Sequence, residues 1–339
     1  WGASVPDARA ASVLKTQSGT VVNSANGTQT VTISSVDMTK SVLFFSTQHG
    51  SNRPVGATVR GALASSTTIE FDRVTDGAAP EPASITIRWY VVTFASGVKV
   101  QRGEAALSAT TVNVAITAVA AVNQAFVLWS ETPGAADVEW GSDDANLAEL
   151  TSTTNLQIRA DAANASLIVS WQVVEFTNAA DIKVQKGSIT TMTGATTSVT
   201  ATLSPAVDVS KTFVLVGWRS SGVGTDIGAR MLRAQLTNST TVTIDRSASG
   251  SPDNITEIVW QAIELKDDST VLRGSVNFPS GEDEVTADLL PPVNRKTAIA
   301  FGSGQSGAGQ TMGRSPYVTD DITGVGSVTA TLGIGFRAA

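Results

Sequence analysis

The chain of 339 residues contains no cysteine and one histidine, His49. No disulfide, thiolate metal site or cysteine nucleophile can form, a His-rich zinc site is excluded, and a single imidazole is left for acid–base work. Charge is scarce, with 16% Asp, Glu, Lys and Arg against ~25% in an average globular chain. The charge that is present leans acidic, 30 carboxylates against 23 basic residues, so the footprint of a nucleic-acid binder is missing. Long apolar runs are also absent. The best of them, Val112–Trp129, is interrupted by Asn113, Thr117, Asn123 and Gln124 and reads as two strands joined by a turn, so membrane insertion is not expected. A chain that opens on Trp1, is poor in lysine and is rich in Ser, Thr, Ala and Gly is expected to be extracellular, on a cell or virion surface, after loss of a leader.

The usual carriers of chemistry are thin. His49 lies in a loop-like stretch, Ser46–Pro54, and reads as a solvated polar residue. No Gly-x-Ser-x-Gly elbow sits between a strand and a helix. The glycine-rich stretch Phe301–Gln310 lacks the Gly-Lys-Ser/Thr ending of a phosphate loop. Acidic pairs at Asp143-Asp144, Asp267-Asp268, Glu282–Glu284 and Asp320-Asp321 lack the spacing of a Ca²⁺ loop and read as solvated turns. Asn26, Asn164, Asn238 and Asn254 begin Asn-x-Ser/Thr sequons, a frequent chance event in so Ser/Thr-rich a chain. No metal, cofactor or catalytic residue is expected.

What the sequence does hold is a repeat. Ile87–Gly103, Val169–Gly187 and Ile258–Gly274 each read Trp, an apolar run, a polar turn, then a strand ending in Arg/Lys-Gly. Trp89, Trp171 and Trp260 are 82 and 89 residues apart, and Gly19, Gly103, Gly187 and Gly274 are 84, 84 and 87 apart. Arg60–Arg73 matches Arg233–Arg246 almost position for position, with a degraded copy at Leu150–Asp161. A third block runs through Lys40–Ser46, Gln124–Ser130, Lys211–Gly217 and, more weakly, Lys296–Gly302. The cleanest division is an N-terminal arm at 1–12 and units at 13–94, 98–176, 182–265 and a shortened, divergent 270–339, in which Leu332 stands for the missing Trp.

Within a unit the apolar residues alternate, as in Ile69-Glu70-Phe71 and Val242-Thr243-Ile244, and β-branched residues dominate. Turn pairs such as Asn26-Gly27, Asp76-Gly77 and Ser249-Gly250 separate the runs. Six or so strands per unit make the chain all-β, four tandem antiparallel β-sandwich repeats of roughly 80 residues. Only Asp143–Leu150, with Ser142 or Asp143 as a cap, suggests one or two turns of helix. The recurring Trp, one per unit inside an apolar strand, is expected in the core. Trp1 and Trp140 fall outside the pattern and are candidates for an interface.

The order of these strands resembles the H-type lectin domain. The resemblance implies a six-stranded antiparallel sandwich, binding of N-acetylgalactosamine-type sugars and assembly as trimers. In that family the Ser-Gly after a Gln contributes to the sugar site. Here Gln17-Ser18-Gly19 keeps it, while Gln101-Arg102-Gly103, Gln185-Lys186-Gly187 and Leu272-Arg273-Gly274 do not. Val21 stands where that family has an acidic residue, and its later Trp-His pair is absent. Ser18, Gly19 and Arg60 are the ligand-binding candidates.

The leading expectation is a non-enzymatic structural protein, a subunit of a surface filament, sheath or virion-surface assembly. Its partner would be itself, and the arm would contact a neighbour through Trp1, Val5 and Pro6, with Trp140 in the interface. A multivalent glycan-binding adhesin is the alternative, and a secreted hydrolase a distant third.

Overall fold

The computed structural model describes residues 11–24, 27–48, 58–74, 84–134, 140–222, 230–246, 254–266, 269–275, 284–288, 298–303, 318–324 and 327–332. Among them the only helical segments are single 3-10 turns at Met38–Lys40 and Val122–Gln124. The rest of the regular structure is antiparallel β-sheet.

The first unit contains β1 (Ser12–Asn23), β2 (Gly27–Thr32), β3 (Ser41–Gln48), β4 (Arg60–Ser65), β5 (Thr68–Arg73) and β6 (Ile85–Ser96). They form two three-stranded sheets, ordered β1-β6-β3 and β2-β5-β4. The second unit repeats this with β7 (Val98–Leu107), β8 (Thr111–Ala115), β9 (Ala125–Thr132), β10 (Asn146–Ser152), β11 (Asn155–Ala160) and β12 (Asn164–Phe176), ordered β7-β12-β9 and β8-β11-β10. The third does so with β13 (Ile182–Ile189), β14 (Ser198–Thr202), β15 (Thr212–Ser221), β16 (Arg233–Asn238), β17 (Thr241–Asp245) and β18 (Asn254–Leu265), ordered β13-β18-β15 and β14-β17-β16. Beyond these lie β19 (Glu284–Asp288), β20 (Val318–Gly324) and β21 (Ser327–Leu332), ordered β19-β21-β20.

Strands β20 and β21 are consecutive and joined by two residues, as β4 and β5 are, whereas β3 and β6 are separated by β4 and β5 of the other sheet. The middle strand β21 therefore corresponds to β5, not to the Trp strand β6, and Leu332 does not take the Trp position. Sequence alone placed it there because an apolar strand of either kind looks the same without its partners. A second correction concerns Asp143–Leu150. Residues 142–145 form a bend, and the chain from Asn146 onward is the edge strand β10, paired with β11. Sheet pairing overrides the local helix signal: Leu147, Ala148 and Leu150 are all buried, and Leu147 reaches the neighbouring unit's Gly217.

Each sandwich has its own core. In the first unit Leu43, Phe45, Trp89 and Val91 of one sheet pack on Leu63, Ile69 and Phe71 of the other. The alternation legible in β5 is what delivers Ile69 and Phe71 to that space. A further core lies outside the sandwiches. There the β1-β6-β3, β7-β12-β9 and β13-β18-β15 sheets turn their opposite faces to one another, with Val42, Phe44, Tyr90, Phe126, Leu128, Val174, Leu215 and Ile263 in one cluster. Strands β3 and β9 are consequently buried on both faces, which is why Ser-Val-Leu-Phe-Phe-Ser and Ala-Phe-Val-Leu-Trp-Ser read as unbroken apolar runs.

The repeated glycine and the repeated tryptophan explain each other. Gly19 is the cross-strand partner of Trp89, Gly103 of Trp171 and Gly187 of Trp260. In each pair the indole lies against the glycine. A Cβ at Gly19, Gly103 or Gly187 would stand 2.7, 2.6 or 2.8 Å from the ring's Cζ2. Only a residue without a side chain leaves that room, and the ring in turn covers the backbone that glycine exposes. The indole N–H groups of Trp89 and Trp171 find no hydrogen-bond partner among the described residues, so packing alone holds these rings.

Gly103→Ala should accordingly lower unfolding stability by about 1–3 kcal/mol through overpacking. Gly274→Ala, where nothing stands within 4 Å of the added carbon, should change it by less than about 0.5 kcal/mol. Urea denaturation of the two variants measures the difference.

Candidate functional site: the seams between units

Among the described residues, a set of buried and half-buried polar side chains binds one unit to the next. Gln172 of the Trp strand β12 reaches across to the edge of β3. Its Nε2 donates to the Leu43 carbonyl at 2.8 Å, and its Oε1 accepts from the Leu43 N–H at 3.0 Å. Gln261 of β18 does the same to Val127 of β9, at 3.0 and 2.9 Å. Each amide thereby stands in for a missing strand, satisfying one donor and one acceptor of an otherwise unpaired buried edge. Leu43 and Val127 occupy matching places in the repeat, as do Gln172 and Gln261. Tyr90 occupies the corresponding place in the first unit.

A second contact is made by the residue before the repeated glycine. Arg102 donates to the Met38 and Ser41 carbonyls of the first unit, both at 2.6 Å. Lys186, its counterpart in the third unit, donates to the Leu150 carbonyl of the second. Burial pushes the Arg102 guanidinium down to about 10, with Asp37 opposing, and burial lowers Lys186 against the pull of Glu149. The 3-10 turn that Arg102 grips is capped by Asp37, which accepts from the Thr39 hydroxyl at 2.7 Å and its N–H at 2.9 Å. Asp208 caps the equivalent turn in the third unit through the Ser210 hydroxyl and N–H. These hydroxyl and amide donors hold both carboxyls below the usual carboxylate value.

Ion pairs complete the seams. Between the first two units Arg60 bridges Asp72 of its own sheet and Glu104 of β7, the latter at 2.7 Å. Between the second and third the acids and bases alternate. Arg159 meets Glu149 at 2.6 Å and Glu257 at 2.7 Å, and Arg219 meets Glu257 at 2.9 Å and Asp161 at 3.2 Å. Burial alone would lower Arg159, but its hydrogen bonds to Glu149 and Glu257 reverse the effect and raise it.

The sequence candidates fall in different places. Ser18 is exposed on β1, where Arg88 donates to its hydroxyl at 3.3 Å and to that of Thr20 at 3.2 Å. Gly19 seats the ring of Trp89. Arg60 is engaged in the seam. The structure therefore does not bring Arg60 together with Ser18. Trp140 is 6% exposed, and the Arg230 guanidinium donates to its carbonyl, so its ring is not offered to a neighbour. A Trp outside the repeat looked like a surface residue because its burial depends on contacts far away in sequence. Trp1, Val5, Pro6, His49, Asn26 and the pair Asp267-Asp268 lie outside the described residues. Asn164 is held by Asp143 at 2.7 Å, and Asp144 is buried. The described residues hold no group of three or more His, Cys, Asp or Glu placed to bind a metal, and no helix among them is long and apolar enough to cross a membrane. An open groove of about 440 Å³ runs between Leu14, Lys15, Val36, Asp37, Lys40 and Phe94. Leu14, bulged out of the β1 register, is 62% exposed at its rim.

The two glutamines were missed at the sequence level. Their signal was available: Trp-Gln recurs in two units at a position where an apolar neighbour was due.

Neither a known family model nor a curated protein sequence matches the chain.

Two outcomes follow from the seam geometry. Gln261→Ala leaves a buried N–H and C=O of Val127 without partners and should cost about 2–5 kcal/mol. Hydrogen exchange should quicken at Val127 and leave Ile69 and Phe71 in the first unit unchanged. The second concerns acid. Asp37 and Asp208 have folded values below the ordinary 3.8, so the stability they contribute is fully present above that pH. It is lost as pH falls below 3.8 through their lowered values. A double Asp37→Asn, Asp208→Asn variant should show a shallower loss of melting temperature between pH 4 and about pH 2 than the parent.

Proposed function

We propose that this chain is a non-enzymatic structural protein of an extracellular assembly, a subunit of a surface filament, sheath or virion-surface structure, with its N-terminal arm contacting a neighbouring copy. The observation that carries this reading is the use made of its polar side chains. Gln172, Gln261, Arg102, Lys186, Arg60 and Arg159 all bind one unit to the next. A molecule so organised is a stiff block, suited to bearing load and to being built with. The arm is consistent with this use. Ala11, the first described residue, is buried in the shared core, and its N–H donates to Oδ2 of Asp181, in the joint just before β13, at 2.7 Å. Gly97 approaches it closely as well, since a Cβ there would stand 2.7 Å from the Ala11 Cα. Ala11 is thus fixed where the starts of β1, β7 and β13 converge.

The alternative, a multivalent glycan-binding adhesin, depends on sites that recur. The place of Ser18 is taken by Arg102 and Lys186 in the next two units, and both of those reach into seams.

Removing residues 1–10 keeps Ala11 in place and tests the reading. The full chain should form extended particles by negative-stain microscopy, and the truncated chain should remain a folded monomer by light scattering and circular dichroism. If the truncated chain assembles as the parent does, arm-mediated assembly is wrong. Assembly by neither chain, with specific retention of a sugar on a glycan array, would replace the structural reading with the adhesin.

A further inference from the structure

The units do more than follow one another. At the first seam the second unit contributes Ser130, whose hydroxyl accepts from the Gly61 N–H of β4 at 3.0 Å. At the third seam Ser303 accepts from the Ala234 N–H of β16, again at 3.0 Å. Gly61 and Ala234 are matching positions of the repeat. Arg273, the counterpart of Arg102, donates to the Val209 and Thr212 carbonyls, which match the Met38 and Ser41 carbonyls gripped by Arg102. The segment after residue 269 therefore sits on the third unit as the second sits on the first.

The equivalence of Ser303 with Ser130 moves the register by one residue from the weak match at Lys296–Gly302. This matters because a one-residue slip turns every side chain to the other face. Ile299, Ala300 and Phe301 pack against the shared core, and by this equivalence Ile299 matches Val42, Phe126 and Phe213 while Phe301 matches Phe44, Leu128 and Leu215. Phe301 stands edge-on to Phe213 of the third unit at 5.4 Å and stacks on Phe44 of the first at 5.9 Å.

The last contact points the same way. Strand β4 lies against β9 and β12 of the second unit, and β10 lies against β15 and β18 of the third. Strand β20, which holds the β4 position in its own sheet, lies against β3 and β6 of the first unit.

We infer that the chain closes into a pseudo-four-fold ring, in which the surface formed by β3 and β6 of the first unit is the docking site for the chain's own C-terminal unit. One head-to-tail interface is used four times, and the fourth use returns to the start. A heterologous contact of this kind yields either a closed ring or an open filament, depending only on whether the rotation closes. Here it closes within one polypeptide, without regard to what the ring is used for.

The absence of native cysteine makes the test clean. In the full-length chain, a Phe44→Cys, Phe301→Cys pair treated with a short bis-maleimide should cross-link within one molecule. It should migrate faster than the untreated chain on a denaturing gel, at the mass of a monomer. Cross-linked dimers or ladders at low micromolar protein would show that the C-terminal unit docks on another copy, and no cross-link at all would show that it docks on neither; both overturn the closed ring. As a second readout, Phe301→Ala in the full chain should quicken amide exchange in residues 41–48 on the order of ten-fold. Exchange at Ile69 and Phe71 should not change. Unaltered protection of residues 41–48 would likewise count against closure. Ser303→Ala, a milder change, should act in the same direction at Ala234 if Phe301→Ala fails to fold.

Discussion

A tryptophan lying over a glycine on the adjacent strand is the contact on which the architecture rests. It occurs at the same place in three units and fixes two things at once. The ring fills the space between the two sheets of its own sandwich, worth about 4–6 kcal/mol by buried area as an upper figure. The glycine, having no side chain, allows the ring to lie against its neighbour strand and pins the register of β1 on β6, β7 on β12 and β13 on β18. A slip of one residue would put a Cβ into the indole and send the apolar set outward. Because register is set there, the side chain next to each Trp is bound to face the opposite side of the sheet, toward the other units. That is where Gln172, Gln261 and Tyr90 stand.

Burying both faces of a sheet creates a problem that the glutamines solve. The edges of β3 and β9 carry peptide groups that water cannot reach and that no further strand pairs. An amide side chain is the one neutral group that offers a donor and an acceptor with nearly the geometry of a peptide. A Gln at this place joins units by two hydrogen bonds without the desolvation cost of burying a charge. The charged contacts are distributed accordingly. Arg102 and Lys186 keep their charge where backbone carbonyls or nearby carboxylates compensate it. The alternating chain Glu149, Arg159, Glu257, Arg219, Asp161 gives its three inner ions a partner of opposite charge on either side. Such a network contributes more to matching the right pair of faces than to raw stability.

How far the sequence could be read follows from the range of each interaction. Alternation in β5 and the Gly–Trp pairs are local or repeated features, so the all-β sandwich and the core position of Trp89, Trp171 and Trp260 were legible. Doubly buried strands were visible as apolar runs, although the sequence does not say what covers their second face. The surroundings of Arg60 and Trp140 were not legible, because they come from residues tens of positions away, Glu104 in one case and Arg230 in the other. Ser18 looked like a ligand position by resemblance. Its counterparts Arg102 and Lys186 are seam residues, a role recognisable only when the units are seen against one another. Asp143–Leu150 carried a helix signal that the need for a third strand beside β11 overruled. Leu332 was placed on the wrong strand, since composition cannot distinguish β5 from β6 when the flanking turns have diverged.

The closed ring constrains how any assembly could be built. If all four inner sheets face a common core, no inner surface is left for a second chain, and polymerisation by the interface that joins the units is already satisfied within the molecule. Contacts between copies in the proposed assembly would then come from the outer sheets, from the exposed rim near Leu14, or from residues 1–10, which precede the buried Ala11. The outer sheets are poor candidates for tight apolar association. Their solvent faces carry Thr28, Thr30, Glu70 and Asp72 in the first unit and Thr200, Thr202, Thr241 and Thr243 in the third. The arm differs in kind: it is anchored to the body by a buried residue, it carries Trp1, Val5 and Pro6, and it starts where three units converge. A short apolar segment fixed at one end to a stiff ring loses less freedom on docking than a flexible tail would, and it can add to a neighbour's free sheet edge through main-chain hydrogen bonds. In the proposed assembly, a ring closed as inferred would concentrate the capacity for association at the N-terminal end.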